Sequence, residues 1–273
     1  MRNRTAGMIA FYAFATLIAA LVLIPFFWMI STSLKSKGAL TAVPIEWIPN
    51  PVSLEGYRKV FTVFPFDRAI ANSLIVSVLT TGVRLLSASM AAYVFSKVPF
   101  RGREALFAVC LATMMIPQQV TFIPLFLVLK EFQLLNTFAG VVAPSIFSAF
   151  AVFMLRQHMN NIHGAYVDAA VVDGAGHVRI FVSVILPLCA PVLATLSIIT
   201  FMEAWNDYLW PLIILTDPDK MTLPLALSKL NGQYETDYNT LMAGSLISLL
   251  PILLLFALAQ KYFKAGLQVG GVK

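Results

Sequence analysis

The sequence predicts an all-α integral membrane protein with six transmembrane helices. Three observations carry that prediction. Hydrophobic residues make up 59% of the 273-residue chain and charged residues only 12%, against about 45–50% and about 25% in soluble proteins. The apolar residues fall in runs near the ~20 residues that a helix needs to cross the hydrocarbon core. Short polar or proline-bearing stretches separate those runs, and no internal repeat is evident. A soluble domain of this size could not hide so much apolar surface, so lipid must cover part of it.

The six candidate spans run over about 9–33, 71–95, 105–129, 138–156, 188–213 and 241–260 of a single transmembrane domain, residues 1–273. The first opens with MRNRTAGMIAFYAFATLIAALVLIPFFWMI. Its basic start is signal-like, but the apolar stretch exceeds the ~7–15 residues of a signal core, and no small-x-small cleavage site follows promptly. It reads as a retained first span. The fourth is the shortest, and Pro144 interrupts it. Pro25, Pro117, Pro124, Pro191 and Pro251 also fall in spans, where neighbouring helices can satisfy the freed carbonyls.

Basic residues set the orientation. The turn KVPFRGR concentrates Lys97, Arg101 and Arg103, and further basics stand at both termini. This places the N- and C-termini inside a multi-pass cytoplasmic membrane protein. Two sizeable loops then lie outside. Residues 34–70 contain Pro44, Pro49, Pro51 and Pro65, which mark an irregular cap. Residues 214–240 mix Pro, Asp and Asn around a short apolar core. A charged inner segment covers 157–187.

Several chemistries are excluded. The net charge of +6 comes from basic residues scattered between apolar runs, without a nucleic-acid motif. Such charges meet lipid headgroups instead. Cys110 and Cys189 form no CxxC and read as core thiols. Phosphate-loop, HExxH and GxSxG patterns are absent, and His158, His163 and His177 are too dispersed for a metal site. No catalytic residue, metal ligand or cofactor site is expected in this chain.

Residues 166–188, YVDAAVVDGAGHVRIFVSVILPL, set mixed charge and small residues between apolar spans. Ala169 and Ala170 leave one helical face nearly bare, with Asp168 beside it as an anchoring charge. Gly174 suits a left-handed residue that ends a helix, and a second helical run starts near Gly176. Two short helices meeting at a bend are therefore expected. The segment reads either as a solvated connector or, from its apolar content, as a docking helix.

This pattern resembles the EAA loop of ABC importer permeases, EAA–x3–G–x9–I–x–LP. Asp168, Ala169 and Ala170 take the EAA place, Gly174 the glycine, and Val184, Leu186 and Pro187 the I-x-LP places. Asp for Glu and Val for Ile are the departures. A second block, FMEAWNDYLWPLIILTDPDKMTLPLAL at 201–227, resembles the signature of the carbohydrate-uptake permeases of the maltose and glycerol-phosphate type. PFFWMISTSLK, SMAAYVFSKVPFRGR and KYFKAGLQVGGVK are similar to the same family, so the resemblance spans essentially the whole chain.

The resemblance implies a type I ABC importer permease fold with a cytoplasmic coupling helix, in a bacterial or archaeal inner membrane. It implies a heterodimer with a second homologous permease, two ATP-binding subunits on the cytoplasmic side and an extracytoplasmic substrate-binding protein. The substrate would be a carbohydrate. ATP and magnesium would be held by the partner ATPase. Asp168, Ala169, Ala170, Asp173, Gly174, Ala175, Leu186 and Pro187 would form the ATPase-coupling loop. In loop 214–240, Asn231, Gly232 and Gln233 would form the tip that contacts the binding protein; a simple polar cap is the other reading.

Trp205, Tyr208 and Trp210 fit an interfacial aromatic belt, whereas Asn206 and Asp207 beside them fit a path that hydrogen-bonds sugar hydroxyls. Arg84 and Glu203 fall inside spans. An intramembrane arginine costs roughly 2.5–3.5 kcal/mol on insertion scales, so each should face a partner or water. The rise of about 1.5 Å per residue places them within reach of an Arg84–Glu203 pair. Trp205, Asn206, Asp207, Glu203 and Arg84 are thus the candidate path residues. A secondary transporter would need an inverted repeat and ion-binding carboxylates, which do not show. A non-carbohydrate solute such as glycerol-phosphate is the alternative cargo.

Overall fold

The computed structural model describes residues 2–40, 46–231 and 237–269, with side chains from 7 to 257 except those of 37 and 39. Every regular element among the described residues is helical. The first is α1 (Arg2–Ser33), continuous through Pro25. The proline-bearing stretch that follows holds two short helices, α2 (Lys37–Leu40) and α3 (Glu55–Val63). α4 (Phe66–Lys97) is a second long helix.

The third, fourth and fifth apolar segments are not single straight helices. α5 (Arg103–Ala112) runs through a 3-10 turn at Thr113–Met115 into α6 (Gln118–Glu131), with a bend of 100°. The cause is Pro117: its ring disfavours helical backbone at the preceding residue, and Ile116 is extended at φ −89°, ψ 116°. α7 (Phe138–Val142) passes through a 3-10 turn at Ala143–Ile146, which contains Pro144, into α8 (Ala149–Asn160), bent by 44°. Ser148 restarts the helix as an N-cap, its Oγ accepting from Ala151 N at 3.3 Å.

α9 (Ala165–Val172) and α10 (His177–Ile180) follow, then a π-helical turn at Phe181–Ile185 and α11 (Leu186–Leu188). Pro187 offers no amide to the turn before it, and the π-helical turn lies there. A 78° bend leads into α12 (Ala190–Trp205). The fifth expected span, 188–213, therefore starts at a bend and is broken again after Trp205. Asp207 restarts the chain as α13 (Leu209–Ile214), its Oδ1 accepting from Trp210 N at 3.3 Å. A 3-10 turn at Pro218–Lys220, α14 (Leu223–Leu230) and α15 (Tyr238–Val269) complete the order. Among the described residues, three helices are long and apolar enough to cross a membrane unbroken, Gly7–Ser33, Phe66–Lys97 and Tyr238–Ala257. The bent pairs bring the total to six if each is one span.

The chain divides into two compact units, residues 1–67 with 226–250 and residues 68–225 with 251–273. In the first, the end of α1 meets the proline-bearing stretch. Trp28 and Trp47 pack edge to face at 5.2 Å, and the buried Lys35 ammonium sits 4.1 Å from the Trp28 ring centre. Asn239 donates to the Lys35 carbonyl, and Ser33 Oγ lies 3.0 Å from Tyr57 Oη. The Glu55 carboxylate, 2.5 Å from Lys59 Nζ, and Asp237 beside it hold that ammonium above the usual lysine pKa.

The second unit carries the main apolar core. Ala88, Ala92 and Tyr93 of α4 pack with Phe107 and Cys110 of α5, with Val152, Leu155 and Met159 of α8, and with Ile180, Ile185, Cys189 and Leu196. The two cysteines are buried free thiols. Close approach shapes one corner: a Cβ on Gly140 would strike the Leu134 carbonyl, and the Gly140 carbonyl accepts from Trp210 Nε1 at 3.3 Å. Residues 214–223 dock on α4. Asn72 Nδ2 donates to the carbonyls of Asp219 (2.9 Å) and Met221 (3.0 Å), and Ser73 Oγ accepts from Leu223 N at 2.7 Å.

Candidate functional site

Two features of the second unit stand out chemically. The first is a charged cavity lined from α4, α6, α12 and the broken fourth segment. Arg84 Nη1 donates to Glu203 Oε2 at 2.6 Å, joining α4 to α12. Arg84 Nη2 reaches Ser145 Oγ at 3.4 Å, and Ser87 Oγ of the next turn donates to the Ile146 carbonyl. Ser145 follows Pro144 directly, so the break in the fourth segment is what presents it to Arg84. A cavity of about 260 Å³ on one side of the pair takes in Thr80, Gln118, Asp207 and Trp210. A second, of about 600 Å³, takes in Thr113, Thr121 and Ser148. Arg84, Gln118, Ser145 and Glu203 border both. Irregular backbone within apolar segments is tolerated where it is buried or lines a cavity, and here three of the breaks do the latter, at 113–116, at 144–148 and at Asp207.

Of the candidate path residues, Arg84, Glu203 and Asp207 are brought together at this cavity. Trp205 and Asn206 lie elsewhere. Trp205 is buried, stacked on Phe201 at 5.8 Å, and Asn206 spends its amide on the Met202 carbonyl at 2.8 Å. Trp210 is also buried, so neither tryptophan is a lipid-facing belt residue. Gln118, Gln119, Thr80 and Ser145 were not singled out from the sequence. For Gln118, Gln119 and Ser145 the signal is present in IPQQVT and APS, polar residues placed directly after a proline in an apolar run.

The second feature is the bend between α9 and α10. Gly174 has φ +75°, and the capping bonds are those of a Schellman motif. Gly174 N donates to Val171 O and Ala175 N to Ala170 O, both at 2.9 Å. Ala170 and Ala175, which flank the bend, pack together against the core. The two alanines of 169–170 therefore do not share one free face. About 100° apart on the helix, Ala170 turns inward, while Ala169 stays exposed with Tyr166 and Val172 at three-residue spacing. Val172 is 87% exposed. Asp168, Asp173, Gly174 and Pro187 are exposed as well, and Leu186 is half-buried.

The bend is held from behind. Tyr93 Oη lies 3.3 Å from His177 Nδ1, and its ring packs on Phe181 at 5.2 Å. Lys97 Nζ donates to the Ile162 carbonyl at 2.8 Å. Away from the bend, Arg156 of α8 ties α5 and α4 together, donating to Glu104 (2.5 Å) and to the Phe95 carbonyl (3.1 Å) over the Phe107 ring. Tyr166, Val171 and Val172 leave apolar surface exposed on this short helix. Asn231 lies at the end of α14, whereas Gly232 and Gln233 fall outside the described residues.

Residues 84–269, which include the bend and the Arg84–Glu203 pair, match a family model described as the binding-protein-dependent transport system inner membrane component. The chain belongs to this family. The permease is 36% identical to the arabinooligosaccharides transport system permease protein AraQ of Halalkalibacterium halodurans, over 97% of its own length and 94% of that protein. It is 32% identical to the lactose transport system permease protein LacG of Rhizobium radiobacter, over 100% and 98%. A crystal structure of a bacterial ABC transporter involved in the import of the acidic polysaccharide alginate superposes with a TM-score of 0.86 at 24% identity, covering 96% of the permease and 98% of that chain. That likeness concerns the all-helical permease fold.

Proposed function

We propose that this permease is the membrane channel subunit of an ABC importer that carries a carbohydrate across the cytoplasmic membrane. The observation that carries the reading is the exposed, Schellman-capped bend at 165–188, placed within the region that matches the family. The sugar-transport names of its relatives support the cargo class. The chain pairs with a second, homologous permease, and two ATPase subunits that bind ATP and magnesium grip the bend from inside. Ala169, Tyr166 and Val172 supply the contact ridge, Asp168 its anchoring charge, and Gly174 the angle between the helices. Both termini lie on the ATPase side. Asn231, with Gly232 and Gln233, meets the substrate-binding protein on the other side.

In this reading the solute passes along the wall formed by Arg84, Glu203 and Asp207. Hydroxyl-rich solutes need many donors and acceptors at once, and the wall offers carboxylates, a guanidinium and amides from Gln118 and Gln119. Reconstitution of the permease pair with its ATPase and binding protein is expected to give ATP-dependent uptake of a labelled oligosaccharide into proteoliposomes. Uptake that persists without the ATPase, driven by an ion gradient, would contradict the reading.

A further inference from the structure

The alginate importer handles an acidic polymer, whereas the relatives AraQ and LacG carry names of uncharged sugars. The cavity wall itself points to one of these classes. Three ionisable side chains border the 260 Å³ space, Arg84, Glu203 and Asp207, and only Arg84 and Glu203 of these border the 600 Å³ space. The single guanidinium is engaged through both terminal nitrogens, Nη1 2.6 Å from Glu203 and Nη2 3.4 Å from Ser145, while its buried Nε has no hydrogen-bond partner among the described residues. Thr80, Thr113, Gln118, Gln119, Thr121 and Ser148 supply uncharged donors and acceptors around it.

From this arrangement we infer that the Arg84–Glu203 pair is a charge-neutral septum between the two cavities, selecting an uncharged, hydroxyl-rich sugar against sugar acids and sugar phosphates. The inference rests on the path reading above. An anionic solute would have to take Arg84 from Glu203, leaving that carboxylate unpaired next to Asp207 and next to the solute's own charge. Glu203 is partly exposed, and at the effective dielectric of about 20 that applies near a protein surface this repulsion still exceeds its value in water. A neutral sugar exchanges hydrogen bonds with the wall and leaves the pair intact. Whatever proton Asp207 holds, the wall never becomes positive while Glu203 is ionised.

The test is equilibrium binding to the purified permease pair in nanodiscs. The probes are radiolabelled lactose as the neutral sugar and radiolabelled digalacturonate as the acidic one. Wild-type protein is expected to retain lactose at least about tenfold better than digalacturonate. Glu203→Gln frees the guanidinium and shifts the wall by one charge. At a separation of ~8–10 Å and an effective dielectric of about 20, this strengthens digalacturonate binding about twentyfold. Glu203→Asp, which keeps the charge, is expected to retain the wild-type preference and so separates charge from packing. Wild-type protein that holds digalacturonate as well as lactose, or Glu203→Gln that leaves the acid unbound, overturns the inference alone. Binding of neither sugar by any form overturns the path reading, and the inference with it.

Discussion

Replacing Gly174 with valine is expected to lower the substrate-stimulated ATPase activity of the reconstituted importer about tenfold while leaving membrane insertion unchanged. The reason is local. Gly174 sits at φ +75° with no heavy atom near the place a Cβ would occupy, so backbone strain and not crowding opposes a side chain. A left-handed backbone costs a residue with a Cβ roughly 1–2 kcal/mol, and a β-branched residue fares worst. That energy is comparable to the ~1.4 kcal/mol that moves a two-state equilibrium tenfold. The bend would open, and the ridge of Tyr166, Ala169 and Val172 would leave its seat. Asparagine tolerates the same region better, so Gly174→Asn should retain most of the activity. Ala169→Lys, which adds a long charged chain to the exposed ridge, should uncouple without touching the bend. Normal stimulation in both Gly174→Val and Ala169→Lys would contradict the coupling role.

The second large effect is expected at the cavity. Arg84→Glu sets a second carboxylate against Glu203, and Glu203→Arg sets two guanidinium groups together. Each single substitution should reduce uptake at least about tenfold. The double variant Arg84→Glu/Glu203→Arg restores an ion pair of opposite polarity and should recover most of the transport. Glu203 is 56% exposed, so the pair is partly solvated and its energy lies below that of a fully buried one. The informative quantity is therefore the coupling between the two sites, not the size of either loss. Additive defects with no recovery would show that the two charges act independently.

Much of this was legible in the sequence. Gly174 was expected to be left-handed from one glycine after an alanine-rich run, and the local bonding pattern needs nothing more distant. The positions of the apolar segments followed from the length of chain that lipid demands. The Arg84–Glu203 contact followed from the cost of a lone charge in an apolar span, together with helical rise.

What stayed hidden depends on tertiary partners. A proline frees a carbonyl whether its helix stays straight, as at Pro25, or turns by 100°, as after Pro117. Trp205 and Trp210 have the chemistry of belt residues, and only the break at Asn206–Tyr208 turns both rings into protein. Ala170 looked like part of a bare face until its packing against the core fixed the rotation of α9. Ser145 and Gln118 gained meaning only once the bent segments brought them to Arg84.

The central claim is that the ATPase seats on the bend at 165–188. It is tested most directly by placing a cysteine on the exposed ridge, Ala169→Cys, with Cys110 and Cys189 replaced by serine or alanine. A photoactivatable cross-linker on that cysteine is then activated in membranes that contain the whole importer. The account predicts a covalent adduct between this permease and the ATP-binding subunit, absent when the same linker sits on the neighbouring, core-packed position at Ala170→Cys. An Ala169 adduct with lipid or with the second permease alone, and none with the ATPase, would contradict it.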